Sequence, residues 1–410
     1  MSLYCEMTTR RDFIKAGALT SLAALPGMAN ATPNWSLLSA NDLPSQVRSQ
    51  LLVPAGRTYL NTGSLGPSPR AVVDAVYAAM QQLESNPVSE NWGPLGDKME
   101  AVRKKVAGFI NATTDEIILT RNTTEGLNLI AQSLSLKPGD EILTTTDEHG
   151  GGEVGLEYLA KTRGAVVRKF DMPLPATSVE EVVQTVMRNL TAKTRYLMLS
   201  HINTSSGMRM PFAEIAAITR PRGIILVADG AQAPGLIDVD VKALGVDAYA
   251  ASGHKWMLGP KETGFVYLRK EFQPSVQPVF SMYGYQAYTQ SSGTRNVATI
   301  IGLGAAIDWI QQIGMSRIEA QTLDTRNYCL AQLQKLDGLK IISPALPALS
   351  CGILSFSPTR VKNDVIYNEL KKKDIIVKVL TKHNANRISC HLFVSRQDID
   401  TFITALKPLL

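Results

Sequence analysis

The sequence predicts an α/β fold around a doubly wound, mostly parallel sheet, and three observations carry that expectation. Apolar, β-branched runs alternate with stretches of helical period along the middle of the chain, the order that parallel sheets produce. The run 223–229 (GIILVAD) is apolar almost throughout, as suits a central strand covered on both faces. Chemistry-bearing side chains gather where such runs stop, at Asp229 and at 252–255, and open α/β sheets bind ligands at the carboxyl ends of their strands. With 410 residues and 45% apolar composition, the chain can build one large core of this kind plus a smaller domain.

The chain opens with Thr9-Arg10-Arg11-Asp12-Phe13-Ile14-Lys15, a mild apolar stretch at 16–25, and Ala29-Asn30-Ala31, a small-x-small cleavage pattern. Residues 1–31 are therefore expected to be a twin-arginine signal that delivers a folded protein to the periplasm through the Tat machinery, with Met7 as an alternative start. The apolar stretch is too short for a permanent membrane anchor. Removing three basic and two acidic side chains with the leader lowers the formal charge from +6 to +5. Such a mildly basic chain without a lysine/arginine block is not expected to bind nucleic acid, but it allows a basic rim for acidic substrates. Cys329, Cys351 and Cys390 show neither CxxC nor histidine spacing, so no metal is expected. Cys351–Cys390 is the one pair an oxidising compartment is expected to test.

After an N-terminal arm (32–68), the turn-rich stretch 58–70 (TYLNTGSLGPSPR) leads into a helix at 69–83. A second loop, 86–96, carries Trp92, read as a packed core residue or a wall of the substrate pocket. Strand 116–120 runs into Arg121-Asn122-Thr123-Thr124-Glu125-Gly126, which opens a helix reaching Leu134. Hydroxyls there cap the helix, and its free N–H groups and positive dipole end cradle an anion. Strand 141–145 ends in Asp147-Glu148-His149, followed by three glycines, 150–152. The alternation continues with a helix at 154–162, strand 166–170, helix 179–190 and strand 196–200, which ends in His201-Ile202-Asn203-Thr204.

Asp229 is followed by Gly230-Ala231-Gln232. A run from Val246 stops at Ser252-Gly253-His254-Lys255, and Gly259-Pro260 then turns the chain into the run 264–268. A lysine held on such a turn near an apolar wall loses hydration, its pKa falls, and it becomes suited to imine chemistry. Asp229, twenty-six positions earlier on another strand end, is the anion that keeps a pyridine nitrogen protonated. The pair is what pyridoxal 5'-phosphate requires, and that cofactor is expected here. The pattern shifts near Glu271, which makes 69–270 the large cofactor-binding domain and 271–410 a smaller one.

The block VDAYAASGHKWMLGPKETGFVYL (246–268), with VADGAQAPG before it, resembles the class V aminotransferases. These are fold-type I pyridoxal-phosphate enzymes that include cysteine desulfurases and isopenicillin N epimerase-like proteins. The resemblance runs from about Tyr59 to Ser395. It implies a seven-stranded large-domain sheet, a smaller α+β C-terminal domain, and a homodimer with the active site at its interface. It further implies that Lys255 carries the cofactor and moves the Cα proton, that Asp229 pairs with the pyridine N–H, and that His149 stacks on the ring. Gln232 would reach the phenolic oxygen, with Asn203 or Thr204 beside it, and Thr123, Thr124, Ser252 and His254 would hold the phosphate. Thr294, in Ser291-Ser292-Gly293-Thr294-Arg295-Asn296, matches the loop that reaches the partner's phosphate, in a form closer to the epimerase-like branch. Arg387, in Asn386-Arg387-Ile388-Ser389, matches the arginine that grips a substrate carboxylate, and backbone near Asn61 and Gly63 approaches the substrate. The three glycines after His149 are expected to leave room for a bulky, even peptidic, substrate.

The expected activity is transamination or epimerisation at Cα of an amino acid or an amino-acid-containing substrate. Cysteine desulfuration needs a nucleophilic cysteine shortly before the carboxylate arginine, and 377–386 (VKVLTKHNAN) has none. A non-catalytic binding protein retaining the fold is the remaining alternative; the presence of both Lys255 and Asp229 speaks against it.

Overall fold

The period-2 pattern of the central strands sorts their side chains onto two faces. Along Thr194–Ser200, Tyr196 and Met198 join one buried cluster while Leu197 and Leu199 join another, so the sheet is covered on both sides. The computed structural model describes residues 33–276 and 278–410; the expected leader, 1–31, lies outside the described residues. In chain order the strands are β1 (Thr58–Tyr59), β2 (Ile117–Thr120), β3 (Glu141–Thr145), β4 (Val166–Phe170), β5 (Thr194–Ser200), β6 (Ile225–Asp229) and β7 (Ala248–Ser252). They continue with β8 (Gly264–Leu268), β9 (Leu339–Ile341), β10 (Ile353–Pro358), β11 (Ile375–Ile376), β12 (Lys378–Leu380) and β13 (Ala385–Ser389).

The large sheet has seven strands in the order β2-β8-β7-β6-β5-β3-β4. Every pairing is parallel except those of β8. The order reverses at β3, with β4 on one side and β5 on the other, and such a reversal opens a crevice at the carboxyl edge. Register levels that edge, because Ser200 pairs with Asp229 and Asp229 with Ala250. A second, antiparallel sheet runs β12-β13-β10-β9, and β1 pairs in parallel with β11. The N-terminal arm is thereby joined to a segment more than three hundred residues later.

Three expectations change. Residues 86–96 are not a loop: they hold the helix Pro87–Trp92 and the start of the helix Pro94–Phe109. Their prolines occupy the first helical turn, where the missing N–H costs nothing. Trp92 is 54% exposed and meets Tyr288 edge-on, so it is not core, and it lies outside the lining of this chain's own cavity at the carboxyl edge of the large sheet. The third change concerns the thiols: Cys329, Cys351 and Cys390 are free and buried, and Cys351 Sγ donates to the Gly207 carbonyl at 3.1 Å instead of bridging to Cys390.

Candidate active site

A cavity of about 380 Å³ lies at the carboxyl edge of the large sheet. Its walls come from the arm (Gly63, Ser64), the ends of β2, β3, β5, β6 and β7, and the β12–β13 pair. At one end the helix Thr123–Ser133 begins, capped by Asn122 Oδ1, which accepts from Glu125 N–H at 2.9 Å. Ser252 Oγ accepts the Thr123 N–H at 2.9 Å and lies 2.7 Å from Thr123 Oγ1. The first N–H groups of a helix have no intrahelical acceptor; with the Thr123 N–H taken by Ser252, the Thr124 N–H and the hydroxyls of Thr123, Thr124 and Ser252 offer an anion site. His254 closes this end with a buried Nδ1 that has no partner. Burial, then Lys255 and Lys261, depress its pKa to about 4, so the ring is neutral.

His149 caps the helix Gly150–Arg163, its Nδ1 accepting Gly151 N–H at 3.1 Å. That bond places the ring proton on Nε2. Burial and then Lys255, with Lys378 and Arg387 adding, lower its pKa against the opposing pull of Asp229. The helix thus begins at Gly150, four residues earlier than expected. Two of the glycines are packing requirements and not room for substrate: a Cβ on Gly151 would sit 2.3 Å from Thr124 Oγ1, and one on Gly152 3.1 Å from Leu127 Cδ1. Only Gly150, of the three, faces open space.

Asp229 is buried at the end of β6, and its Oδ1 accepts Ala231 N–H at 2.9 Å. Burial raises its pKa, while Ala231 N–H, Lys255 and His149 pull it back. Behind it, Glu148 accepts from Thr145 Oγ1 at 2.8 Å and from Ser200 Oγ. Burial lifts that carboxyl to about 7, with a smaller push from the Asp229 charge. Lys255 lies in the same cavity, lowered to about 8 by burial and by Arg387 against the pull of Asp229. The arm clasps the lysine turn: Gly66 N–H donates to the His254 carbonyl at 2.8 Å, and a Cβ on Gly66 would lie 2.0 Å from the Lys255 carbonyl oxygen.

Gln232 lines the cavity with its amide fully engaged. Its Nε2 donates to the Gly63 carbonyl at 2.9 Å and Thr204 Oγ1 at 3.2 Å, and its Oε1 accepts from Trp256 Nε1 at 2.7 Å. Of the two residues after β5, Thr204 faces the cavity. Asn203 does not: its Oδ1 accepts the N–H groups of Ser205 and Ser206 and its Nδ2 donates to the Asp147 carbonyl, a turn-forming use typical of asparagine.

Arg387 is 2% exposed and held by neutral oxygens alone. Nη1 donates to the Thr204 carbonyl at 3.1 Å and Oγ1 at 2.8 Å; Nη2 donates to Asn61 Oδ1 at 3.2 Å and Ser64 Oγ at 3.1 Å. Asn61 therefore holds the arginine from behind and does not line the cavity. Burial lowers the pKa of Arg387 to about 10. Thr294 is also placed elsewhere, in a separate cavity of about 280 Å³ with Arg121, Glu125 and Arg295, so this chain does not bring it to its own Lys255. Sequence reasoning missed Ser64, Trp256 and Lys378. Lys378 sits nine positions before Arg387, a spacing a hairpin turns into a facing pair.

These residues fit pyridoxal 5'-phosphate: an anion site with an orphaned imidazole nitrogen at one end, a buried carboxylate with one oxygen uncommitted, and an amine of depressed pKa between them. A family model described as aminotransferase class-V matches residues 58–402, and the chain belongs to that family. It is a pyridoxal-phosphate-dependent class V enzyme of fold type I. Isopenicillin N epimerase of Amycolatopsis lactamdurans is 29% identical over 391 residues, covering 89% of this chain and 98% of that protein. A probable cysteine desulfurase of Halalkalibacterium halodurans is 30% identical over 382 residues, covering 85% and 92%. Among solved structures, the apo cysteine desulfurase from Thermococcus onnurineus matches with a TM-score of 0.78 at 25% identity, covering 90% of this chain and 98% of that one. A C-DES mutant with glycine covalently linked to its pyridoxal-phosphate cofactor shares the fold, with a TM-score of 0.80 at 24% identity, covering 88% and 98%.

Proposed function

We propose that this protein is an exported, homodimeric enzyme that works at Cα of an amino acid or an amino-acid-containing substrate, by transamination or epimerisation. The observation that carries the reading is Arg387, a buried guanidinium whose hydrogen bonds all go to neutral oxygens and which shares a cavity with Lys255. A buried cation without a counter-ion is costly, and a substrate carboxylate supplies the missing charge. When bound, pyridoxal phosphate supplies an aldehyde carbon for an amine and a sink for the electron pair left at Cα. Asp229 would hold a proton on the ring nitrogen, and His149, whose pKa burial and Lys255 lower, would present a ring face whose orientation its cap to Gly151 fixes. Lys255, with its pKa near 8, takes the Cα proton on Nζ and returns it. Transamination and epimerisation differ in where that proton goes back.

Cysteine desulfuration is the second reading, favoured by the desulfurases among the relatives. It needs a thiol at the cavity, and Cys329, Cys351 and Cys390 are buried and absent from its lining. Burial raises the Cys351 thiol to about 12, an unreactive state. For a dimer, support comes from Thr294 lying outside this chain's own cavity and from the exposed apolar side chains of Tyr77, Met80 and Val88. For export, support comes from Arg10 and Arg11; Arg10→Lys with Arg11→Lys should hold the protein in the cytoplasm.

The deciding experiment is the visible absorbance of the purified protein, before and after borohydride, with the adduct located by peptide mapping. A band lost on reduction with the label on Lys255, followed by Cα hydrogen–deuterium exchange in amino donors, supports the reading. A colourless protein that pyridoxal phosphate cannot reconstitute would favour a binding protein instead.

A further inference from the structure

Among the described residues, Lys378 is the one cation of the cavity with no part in the chemistry above, and we propose that it selects substrates bearing a second anionic group besides the carboxylate held by Arg387. The inference rests on the amino-substrate reading. Strands β12 and β13 are antiparallel, with Lys378 directly opposite Arg387, and side chains so paired share one face. Both line the cavity. Like charges facing each other across two strands weaken the pairing, yet neither is neutralised: among the described residues no carboxylate forms an ion pair with either.

Nor does the remaining wall supply a counter-charge. Among the described residues, Asp229 is the one carboxylate in the lining, and it is committed to Ala231 N–H and the ring end. The groups for the cofactor's phosphate are Thr123, Thr124, Ser252 and His254, none of them on β12 or β13, so Lys378 remains without an anionic partner among the described residues. The field of Lys378 reaches the ring side of the site, where it helps to suppress the charge of His149.

The two cations suit different tasks. Arg387 is clamped by Asn61, Ser64 and Thr204 and fixes one carboxylate in one geometry. Lys378 is exposed, on a long stem, and can follow an anion whose distance from Cα varies. The substrate class is therefore an amino acid, free or at the end of a larger molecule, with a distal carboxylate or equivalent anion.

The test titrates the visible band of the cofactor-loaded full chain with L-glutamate against L-glutamine and L-aspartate against L-asparagine. The acid of each pair should bind roughly fivefold more tightly at low salt, the advantage fading as salt screens it. Lys378→Met should erase the difference, Lys378→Arg should keep it, and Lys378→Glu should reverse it in favour of the amides. Equal binding of acid and amide, or a preference untouched by Lys378→Met, overturns the inference while leaving the amino-substrate reading intact. If neither acids nor amides perturb the band, that reading fails and this inference falls with it.

Discussion

The indole Nε1–H of Trp256 donates to Oε1 of Gln232 at 2.7 Å, and together with the Gly63 carbonyl, which accepts from Nε2 at 2.9 Å, it fixes which end of the amide faces Gly63 and Thr204. The residue after the cofactor lysine thus helps to orient a side chain beyond the end of the neighbouring strand, β6. Trp256→Phe should leave Oε1 buried without a donor and cost about 1–3 kcal/mol, read as a lower denaturation midpoint. Gln232 Nε2 would keep its bonds to the Gly63 carbonyl and Thr204, so amino-substrate affinity should change little while stability falls.

The depressed pKa of Lys255 sets a pH dependence. Capture of pyridoxal phosphate by the apo-protein needs the neutral amine, so its rate should climb about tenfold per pH unit and level off above about 8. Asp229 favours the protonated lysine, so Asp229→Asn should move that midpoint down. The folded pKa lies below the ordinary lysine value of 10.5, so the folded chain binds fewer protons than the unfolded one between about pH 8 and 10.5. Lysine linkage alone therefore makes the apo-protein more stable as pH rises through that window.

Gly151 and Gly150 should respond oppositely to alanine. Gly151→Ala puts a methyl 2.3 Å from Thr124 Oγ1 and must displace a hydroxyl of the anion site. Pyridoxal phosphate should then dissociate faster on dialysis, whereas Gly150→Ala should retain it as the parent does.

Arg387→Lys keeps the charge and loses the fork. Asn61, Ser64 and Thr204 would lose donors, and the substrate would lose a bidentate partner. Amino-substrate binding should weaken about 10- to 100-fold, as expected for loss of a charge-assisted pair. Unchanged affinity in a spectral titration would show that the carboxylate binds elsewhere.

Strand ends were legible because apolar runs stop abruptly: Asp229, His149 and Lys255 all reach one cavity. What stayed hidden is which neighbour at a turn looks inward. Asn203 and Thr204 are told apart by what their side chains bond: the asparagine is consumed by its own turn, while Thr204 Oγ1 accepts from Gln232 and Arg387. The glycines after His149 read as space because sequence cannot show that the helix Thr123–Ser133 packs against them. Prolines at 87 and 94 read as loop because the same residue breaks a helix inside and starts one at its edge. Lys378 escaped notice because a charge on a short strand is ordinary until a partner strand sets it against Arg387.

The short ladder of Thr58–Tyr59 with Ile375–Ile376 has a meaning in time as well as in space. The cavity draws on Gly63, Lys255 and Arg387, so it does not exist while the ribosome is still adding the last strands. Contacts that span nearly the whole chain also form slowly. The complete cofactor site is accordingly a property of the finished polypeptide, and a chain that folds without pyridoxal phosphate is loaded only by capture into that finished site.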